Sequence, residues 1–180
     1  MIQIFRLDKF KGQAEPCPKR LPIWMIIIAW AGGTIATASL ALIGEWQDMM
    51  MILGSFGASC LLIFAYPRSP FAQPRSVIGG HCIATLTGLV FMSLFGVHWW
   101  SLATAVGTAI ALMLLFRMPH PPAGSNPLIV MIGGASWQFL ITPTLIGSVT
   151  LVLVALIYNN LTSDLKGNES KSRQYPTYWW

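Results

Sequence analysis

The most chemically unusual stretch of the chain is Arg117-Met-Pro-His-Pro-Pro-Ala-Gly-Ser-Asn-Pro-Leu. Prolines at 119, 121, 122 and 127 keep it stiff and non-helical. A helix is expected to follow, with Ser125 or Asn126 as its cap and Pro127 in its first turn. Such a start aims unpaired N–H groups and the positive end of the helix dipole at the loop, a natural place for a small anion. The bland alternative is a tight turn with an ordinary cap. The same reasoning applies after Gln73-Pro74-Arg75-Ser76.

The residues singled out for anion binding are Arg117, His120, Gly124, Ser125 and Asn126 in this loop. Gly79, Gly80 and His81 join them from the segment after Pro74, and Gly133 and Gly134 from the segment after Pro127. Arg68 and Arg75 are candidate anion contacts on the cytoplasmic side, because no lysine or arginine lies mid-span. The glycine pairs could expose backbone N–H groups or serve close helix packing in lipid, and both readings stay open. His81 and His120 could hold an anion or pass a proton. Equally, His81 could be a neutral hydrogen-bonded imidazole, and His120 could cap the carbonyls of the helix before it. His98, beside Trp99-Trp100, reads as an interfacial anchor.

No enzyme signature appears: the chain lacks Gly-x-Ser-x-Gly, His-Glu-x-x-His and a P-loop. No histidine, cysteine or carboxylate pair has metal-ligand spacing, so no catalytic residue, metal or cofactor is expected. Cys60 and Cys82 lie in apolar runs and, with Cys17, read as free thiols. Glu45 and Asp48 read as solvated residues at a helix junction, and Met49-Met50-Met51 as flexible filler.

The elements that carry these residues follow from composition. The 180 residues are 54% hydrophobic and 9% charged, with mean hydropathy +0.61, against roughly 25% charged in soluble domains. Between Leu21 and Ser163 the only charges are Glu45, Asp48, Arg68, Arg75 and Arg117. This excludes a soluble enzyme, a disordered chain and a nucleic-acid module despite the net charge of +5. The fold expected is an all-α polytopic membrane protein of about six hydrophobic helices in three hairpins, over 22–44, 49–66, 76–96, 99–117, 127–141 and 144–160. The run 76–116 would measure about 62 Å as one helix, twice the hydrocarbon core, so it must turn, at Gly96-Val97-His98. Thr142-Pro143-Thr144 should interrupt the last run, leaving a short fifth helix that either crosses or is re-entrant.

Residues 1–20 and 164–180 are then polar tails. A Gly-Gly pair recurs at 32–33, 79–80 and 133–134, with proline loops before the second and third, a weak internal repeat. Positive charge at Arg6, Lys9, Lys11, Lys19, Arg20, Arg68, Arg75 and Arg117 places the N-terminus and both proline loops in the cytoplasm. Six crossings would also bring Lys166, Lys171 and Arg173 inside.

His120-Pro121-Pro122-Ala123-Gly124 after Arg117-Met118-Pro119 resembles the signature of the HPP family of small integral membrane proteins. Pro67-Arg68-Ser69-Pro70, Ala72-Gln73-Pro74-Arg75 and Gly79-Gly80-His81 are similar to that family's preceding loop and helix. The resemblance spans about Gly32 to Asn160. Family members in cyanobacteria and chloroplasts are associated with nitrite transport, so it implies a transporter of a small inorganic anion, nitrite, in a bacterial inner membrane. The alternatives are a non-transporting structural or assembly subunit, or an anion channel. The partners expected are the lipid bilayer, the anion and further copies of this chain, with no nucleic acid.

Overall fold

The computed structural model describes residues 16–163 and 174–179. Arg6, Lys9, Lys11, Lys166, Lys171 and Arg173, used above for orientation, lie outside them. The described residues form helices α1 (Ile23–Gln47), α2 (Gly54–Ala65), α3 (Pro74–Phe95), α4 (Trp99–Leu115), α5 (Asn126–Ile132) and α6 (Ile146–Ser163). They contain no strand. Short 3-10 turns at Pro70–Ala72, Pro121–Ser125 and Trp137–Leu140, and a wide turn at Ile141–Leu145, connect them. Three stretches are long and apolar enough to cross a membrane: Ile23–Gln47, Pro74–Phe95 and Trp137–Ser163.

Helix ends follow local chemistry. α1 begins after Pro22 and stops where Asp48 turns left-handed (φ 48°), its N–H bonding the Gly44 and Glu45 carbonyls. α3 opens on Pro74, whose missing N–H is harmless in a first turn. The expected break after α3 falls at Gly96 (φ +67°), and the Ser101 hydroxyl accepts the His98 N–H at 2.9 Å to start α4. His98 is exposed and stacks on Trp100. Thr142 departs from helical geometry, so the interruption expected at 142–144 is present and α6 starts at Ile146.

α1 buries one face, Gly32, Ala36, Leu40 and Gly44, a four-residue spacing that lays one stripe against α2 and α6. Its other faces carry Ile27, Trp30, Ile35 and Leu42 outward, as a lipid-facing helix should. A Cβ on Gly32 would lie 2.5 Å from Phe64 Cδ1 and 2.8 Å from Tyr158 Cε1. Gly32→Leu should therefore destabilise the folded protein by about 1–3 kcal/mol, read as a lower melting temperature in detergent.

The fifth helix differs from the expectation: α5 ends at Ile132 instead of 141. It does not double back. The segment starts beside α3's first turn, where Arg75 Nη2 donates to the Phe116 carbonyl at 2.8 Å. It then passes Gly80 with His120, His81 and Thr85 with Asn126, and Gly88 with Pro127, in step with α3. It ends where Ser136, Gln138 and Pro143 share a cleft with Met49 and Met50 of the α1–α2 connection. The segment thus lies along α3 as an irregular half followed by a helical half. Irregular backbone at this depth is tolerated because protein, not lipid, surrounds it.

The start of α1 and the end of α6 lie at one end of the bundle, since the Tyr158 hydroxyl donates to the Ile28 carbonyl at 2.9 Å. Residues 174–179 return to that end. Tyr175 is 1% exposed and its hydroxyl donates to the Ala72 carbonyl at 2.9 Å, so the polar tail expected from the sequence holds a buried anchor.

Candidate functional site: a buried imidazole cluster

Two loops at one end of the bundle build the site. The first, between α2 and α3, is tied by Gln73, a fully buried side chain. Its Nε2 donates to the Pro67 and Ser69 carbonyls at 2.9 and 2.8 Å, and its Oε1 accepts the Thr177 N–H at 2.8 Å. The knot presents the Phe71 carbonyl inward. The second loop leaves α4 with Arg117 in a left-handed turn (φ 57°) and the Met118 N–H on the Met113 carbonyl at 2.8 Å. It can then descend against α3 because Gly79 and Gly80 have no side chains. A Cβ at Gly79 would run into Met118 Sδ, and one at Gly80 would sit 2.6 Å from His120 Cβ.

The descent places His120 beside His81, with ring centroids 4.9 Å apart and planes at 61°. Both rings are fully buried. Ser59 of α2 lies between them, its Oγ 2.9 Å from His81 Nε2 and 2.8 Å from His120 Nε2, and also 2.9 Å from the Ser55 carbonyl. His120 Nδ1 lies 2.7 Å from the Phe71 carbonyl. Asn126 Nδ2 lies 3.1 Å from His81 Nδ1 and donates to Thr85 Oγ1 at 2.9 Å, and Thr85 Oγ1 is 3.1 Å from Thr144 Oγ1. Phe56 closes one side, edge-on to the His81 ring at 5.0 Å. Two buried polar atoms in and beside this network have no partner, Asn126 Oδ1 and Ser55 Oγ. The arrangement gathers donors and acceptors without a carboxylate or an ammonium group, and among the described residues no metal-ligand cluster forms.

Of the residues anticipated from the sequence, His81, His120 and Asn126 meet here, with Gly80 making room for them. Gly79 packs on Met118. Gly124 and Ser125 are half-buried in the 3-10 turn, where the Ser125 hydroxyl donates to the Pro122 carbonyl at 2.9 Å. Neither Ser125 nor Asn126 caps α5 by a side-chain bond, contrary to the expectation, because the Asn126 amide is committed to His81 and Thr85. His120 does not cap the end of α4 either, since Phe71 and Ser59 take its nitrogens.

α5 is only seven residues long, and Pro127 at its start lies against Gly88, where a Cβ would be 2.7 Å from Pro127 Cα. An anion site at that helix start is therefore closed by packing, a correction to the sequence reading. Gly133 and Gly134 are exposed at the far end of α5, with Gly134 at φ +61° ending the helix. They are not equivalent to Gly79 and Gly80, so the repeat does not extend to the site. Arg68 and Arg117 are exposed, and Arg75 is half-buried on the Phe116 carbonyl. None of the three enters the cluster.

Sequence reasoning missed Ser59, Ser55, Thr85, Thr144 and the Phe71 carbonyl. A signal was available for some of them. Ser55 and Ser59 are one turn apart in an otherwise apolar helix, and Thr85 follows His81 by four, on the same face.

The comparisons agree with this architecture. The profile of the HPP transmembrane region matches residues 18–176. Two transmembrane proteins of Dictyostelium discoideum are similar to the chain. One is 35% identical over 99% of the chain and 58% of its own length, the other 36% identical over 100% of the chain and 64% of its own length. The chain thus spans about three fifths of these relatives. No solved structure matches it. With the profile covering loops, spans and the imidazole-bearing turn alike, the chain belongs to the HPP transmembrane family.

Proposed function

We propose that this protein carries a small inorganic anion, nitrite, across the membrane, and that the helical bundle described above is its closed form. One observation carries the reading: a fully buried His81–Ser59–His120–Asn126 cluster sits where the backbone breaks from helix inside an otherwise apolar bundle. Such groups are costly in a bilayer and mark solute or proton pathways. The unpartnered Asn126 Oδ1 supports an occupant that this closed form excludes. The anionic choice is supported by the chemistry of the set, which can offer imidazole, hydroxyl and amide donors and holds no carboxylate to repel a negative solute. Nitrite is the member of that class suggested by the HPP resemblance.

The backbone N–H groups of α5 are withdrawn from the binding role, and the side chains take it. Arg68, Arg75 and Arg117 are positive groups at the loop end, where the anion would enter or leave. That end is read as cytoplasmic by the bias of positive charge. Further copies of the chain are the proposed protein partners. An inside-negative potential of 100 mV opposes uptake of one negative charge by about 2.3 kcal/mol, so net uptake needs excess substrate or a co-transported proton.

The test is nitrite uptake by proteoliposomes carrying the purified protein, against protein-free vesicles, with and without a pH gradient. Uptake above the protein-free rate is expected, faster with acid outside. Uptake no faster than in protein-free vesicles under both conditions rejects transport and leaves a structural or assembly subunit. Saturation with substrate separates a carrier from a channel.

A further inference from the structure

We infer that Ser59 joins His81 and His120 into a proton relay with two hydrogen-bond states, running from Asn126 at mid-depth to the Phe71 carbonyl at the loop end. This deepens the transport reading by naming the coupled ion as a proton and Ser59 as the group that passes it.

With both rings neutral and the Ser59 hydroxyl turned from the Ser55 carbonyl, the bond directions follow from the Phe71 carbonyl, which only accepts. His120 Nδ1, 2.7 Å from the Phe71 carbonyl, must therefore carry a hydrogen. In a neutral ring Nε2 is then an acceptor, so Ser59 donates to it across 2.8 Å. The Ser59 oxygen, with its proton so used, accepts from His81 Nε2–H across 2.9 Å. His81 Nδ1 is left as an acceptor, and the Asn126 amide donates to it across 3.1 Å. All donors point one way, Asn126 to His81 to Ser59 to His120 to Phe71, and the two imidazoles hold opposite tautomers.

The same heavy atoms fit a second state. The Ser55 carbonyl lies 2.9 Å from Ser59 Oγ as an alternative acceptor. When His120 carries two protons both its nitrogens donate, and the Ser59 hydroxyl turns to Ser55 while its oxygen accepts from both rings. Addition of one proton, accompanied by rotation of one O–H bond, thus converts the cluster from neutral to cationic while Ser59 and both rings keep their partners. Ser59 could have been fixed by either acceptor alone; having both is what makes it a switch.

The transfer balances. A proton reaches His81 Nδ1 when the Asn126 amide turns away, which makes His81 an imidazolium. Its Nε2 proton passes to Ser59 Oγ as the Ser59 proton passes to His120 Nε2. His81 is then neutral, protonated on Nδ1, and His120 is the imidazolium. When the loop end opens, water takes the Nδ1 proton of His120, and proton exchange with that water returns both neutral rings to their starting tautomers. One proton enters and one leaves. With ring centroids 4.9 Å apart, the two rings do not hold charge together.

The groups facing the pair are Ser55, Phe56 and Ser59 from α2, Thr85 from α3, Asn126 from α5, Thr144 from the wide turn, and the Phe71 carbonyl. None is a carboxylate, so a proton resident here is a net positive charge able to travel with one monoanion and make the movement electroneutral.

Two measurements on the reconstituted full chain test the relay without nitrite. The first is the nitrogen NMR spectrum of histidine-labelled protein in a His98→Gln background at alkaline pH. One ring is expected protonated on Nδ1 and the other on Nε2; two rings in the same tautomer overturn the relay. The second is proton entry driven by a potassium diffusion potential, followed with a dye sealed inside the vesicles. Ser59→Ala is expected to slow it by about a hundredfold, with Ser59→Thr restoring most of the rate. Ser59→Ala vesicles that fill with protons at the unaltered rate overturn the relay. Nitrite uptake is recorded separately, so opposite tautomers without nitrite movement uphold the relay and reject the substrate. Nitrite movement with matching tautomers does the reverse.

Discussion

Leucine in place of Gly80 is expected to expel the proline loop from the bundle and abolish transport. The missing side chain is what allows the loop to enter: a Cβ there lies 2.6 Å from His120 Cβ and 3.2 Å from the Met118 carbonyl. The obstacle is backbone and Cβ, not the end of a flexible chain, so the clash is relieved only by moving the loop. Overpacking of this kind costs about 1–3 kcal/mol, or on the order of 3–10 °C in melting temperature for a chain of this size. The site suffers more than the stability does, because Ser59, His81 and His120 meet through bonds of 2.8–2.9 Å that a shift of an ångström breaks. Melting in detergent and flux in vesicles read the two effects separately. An unaltered melting temperature together with full transport in Gly80→Leu would show that the loop does not lie on α3.

Truncating Tyr175 is expected to have the largest effect on the tail. Its phenol ring belongs to the buried hydrophobic cluster that also holds Phe64 and Ala72, and its backbone is held by Asn160, whose Oδ1 accepts the Tyr175 N–H at 3.1 Å. Tyr175→Ala should release residues 174–179 to protease at a cost of about 3–5 kcal/mol. Tyr175→Phe, which keeps the ring and loses only the bond to Ala72, should cost about 1 kcal/mol. The two variants separate packing from hydrogen bonding.

A pH dependence follows as well. Burial pushes the Tyr175 phenol above its ordinary value of about 10. A group raised in the folded state contributes its stability below the unfolded value and loses it as pH rises beyond that value. Docking of the tail should therefore hold through neutral pH and weaken from about pH 10 upward, and in Tyr175→Phe that alkaline weakening should vanish. Proteolysis of the tail across pH 8–11 checks it; equal alkaline release in both proteins would exclude the phenol as the cause. Because Tyr175 bonds the Ala72 carbonyl, next to the Phe71 carbonyl that holds His120, loosening the tail should also disturb the loop end of the imidazole cluster.

The comparison of sequence with structure separates two kinds of information. The membrane class, the all-helical fold, the turns at Gly96 and Pro143 and the family signature were legible in the chain. Each depends on neighbours in sequence: the length of an apolar run against the bilayer, a proline without an N–H, a glycine free to adopt positive φ. Even the loop carrying His120 was legible as a place where helix cannot continue. Its depth was not, because that depends on glycines at 79, 80 and 88 facing a segment some forty residues further along the chain. The glycine pairs looked alike in sequence, yet one admits a loop and another ends a helix in the open.

What the sequence by itself determined, then, is that this chain lives in a bilayer, that it is helical, and which family it belongs to, because hydropathy and backbone stereochemistry act locally. Only the tertiary structure decided which buried polar side chains would meet, and that Ser59 would stand between two imidazoles. Those meetings join residues 22 and 61 positions apart, and the tail reaches back across 103. Which polar groups face one another inside a membrane is decided when helices choose their packed faces, since a buried donor is stable only where a partner from another segment already waits.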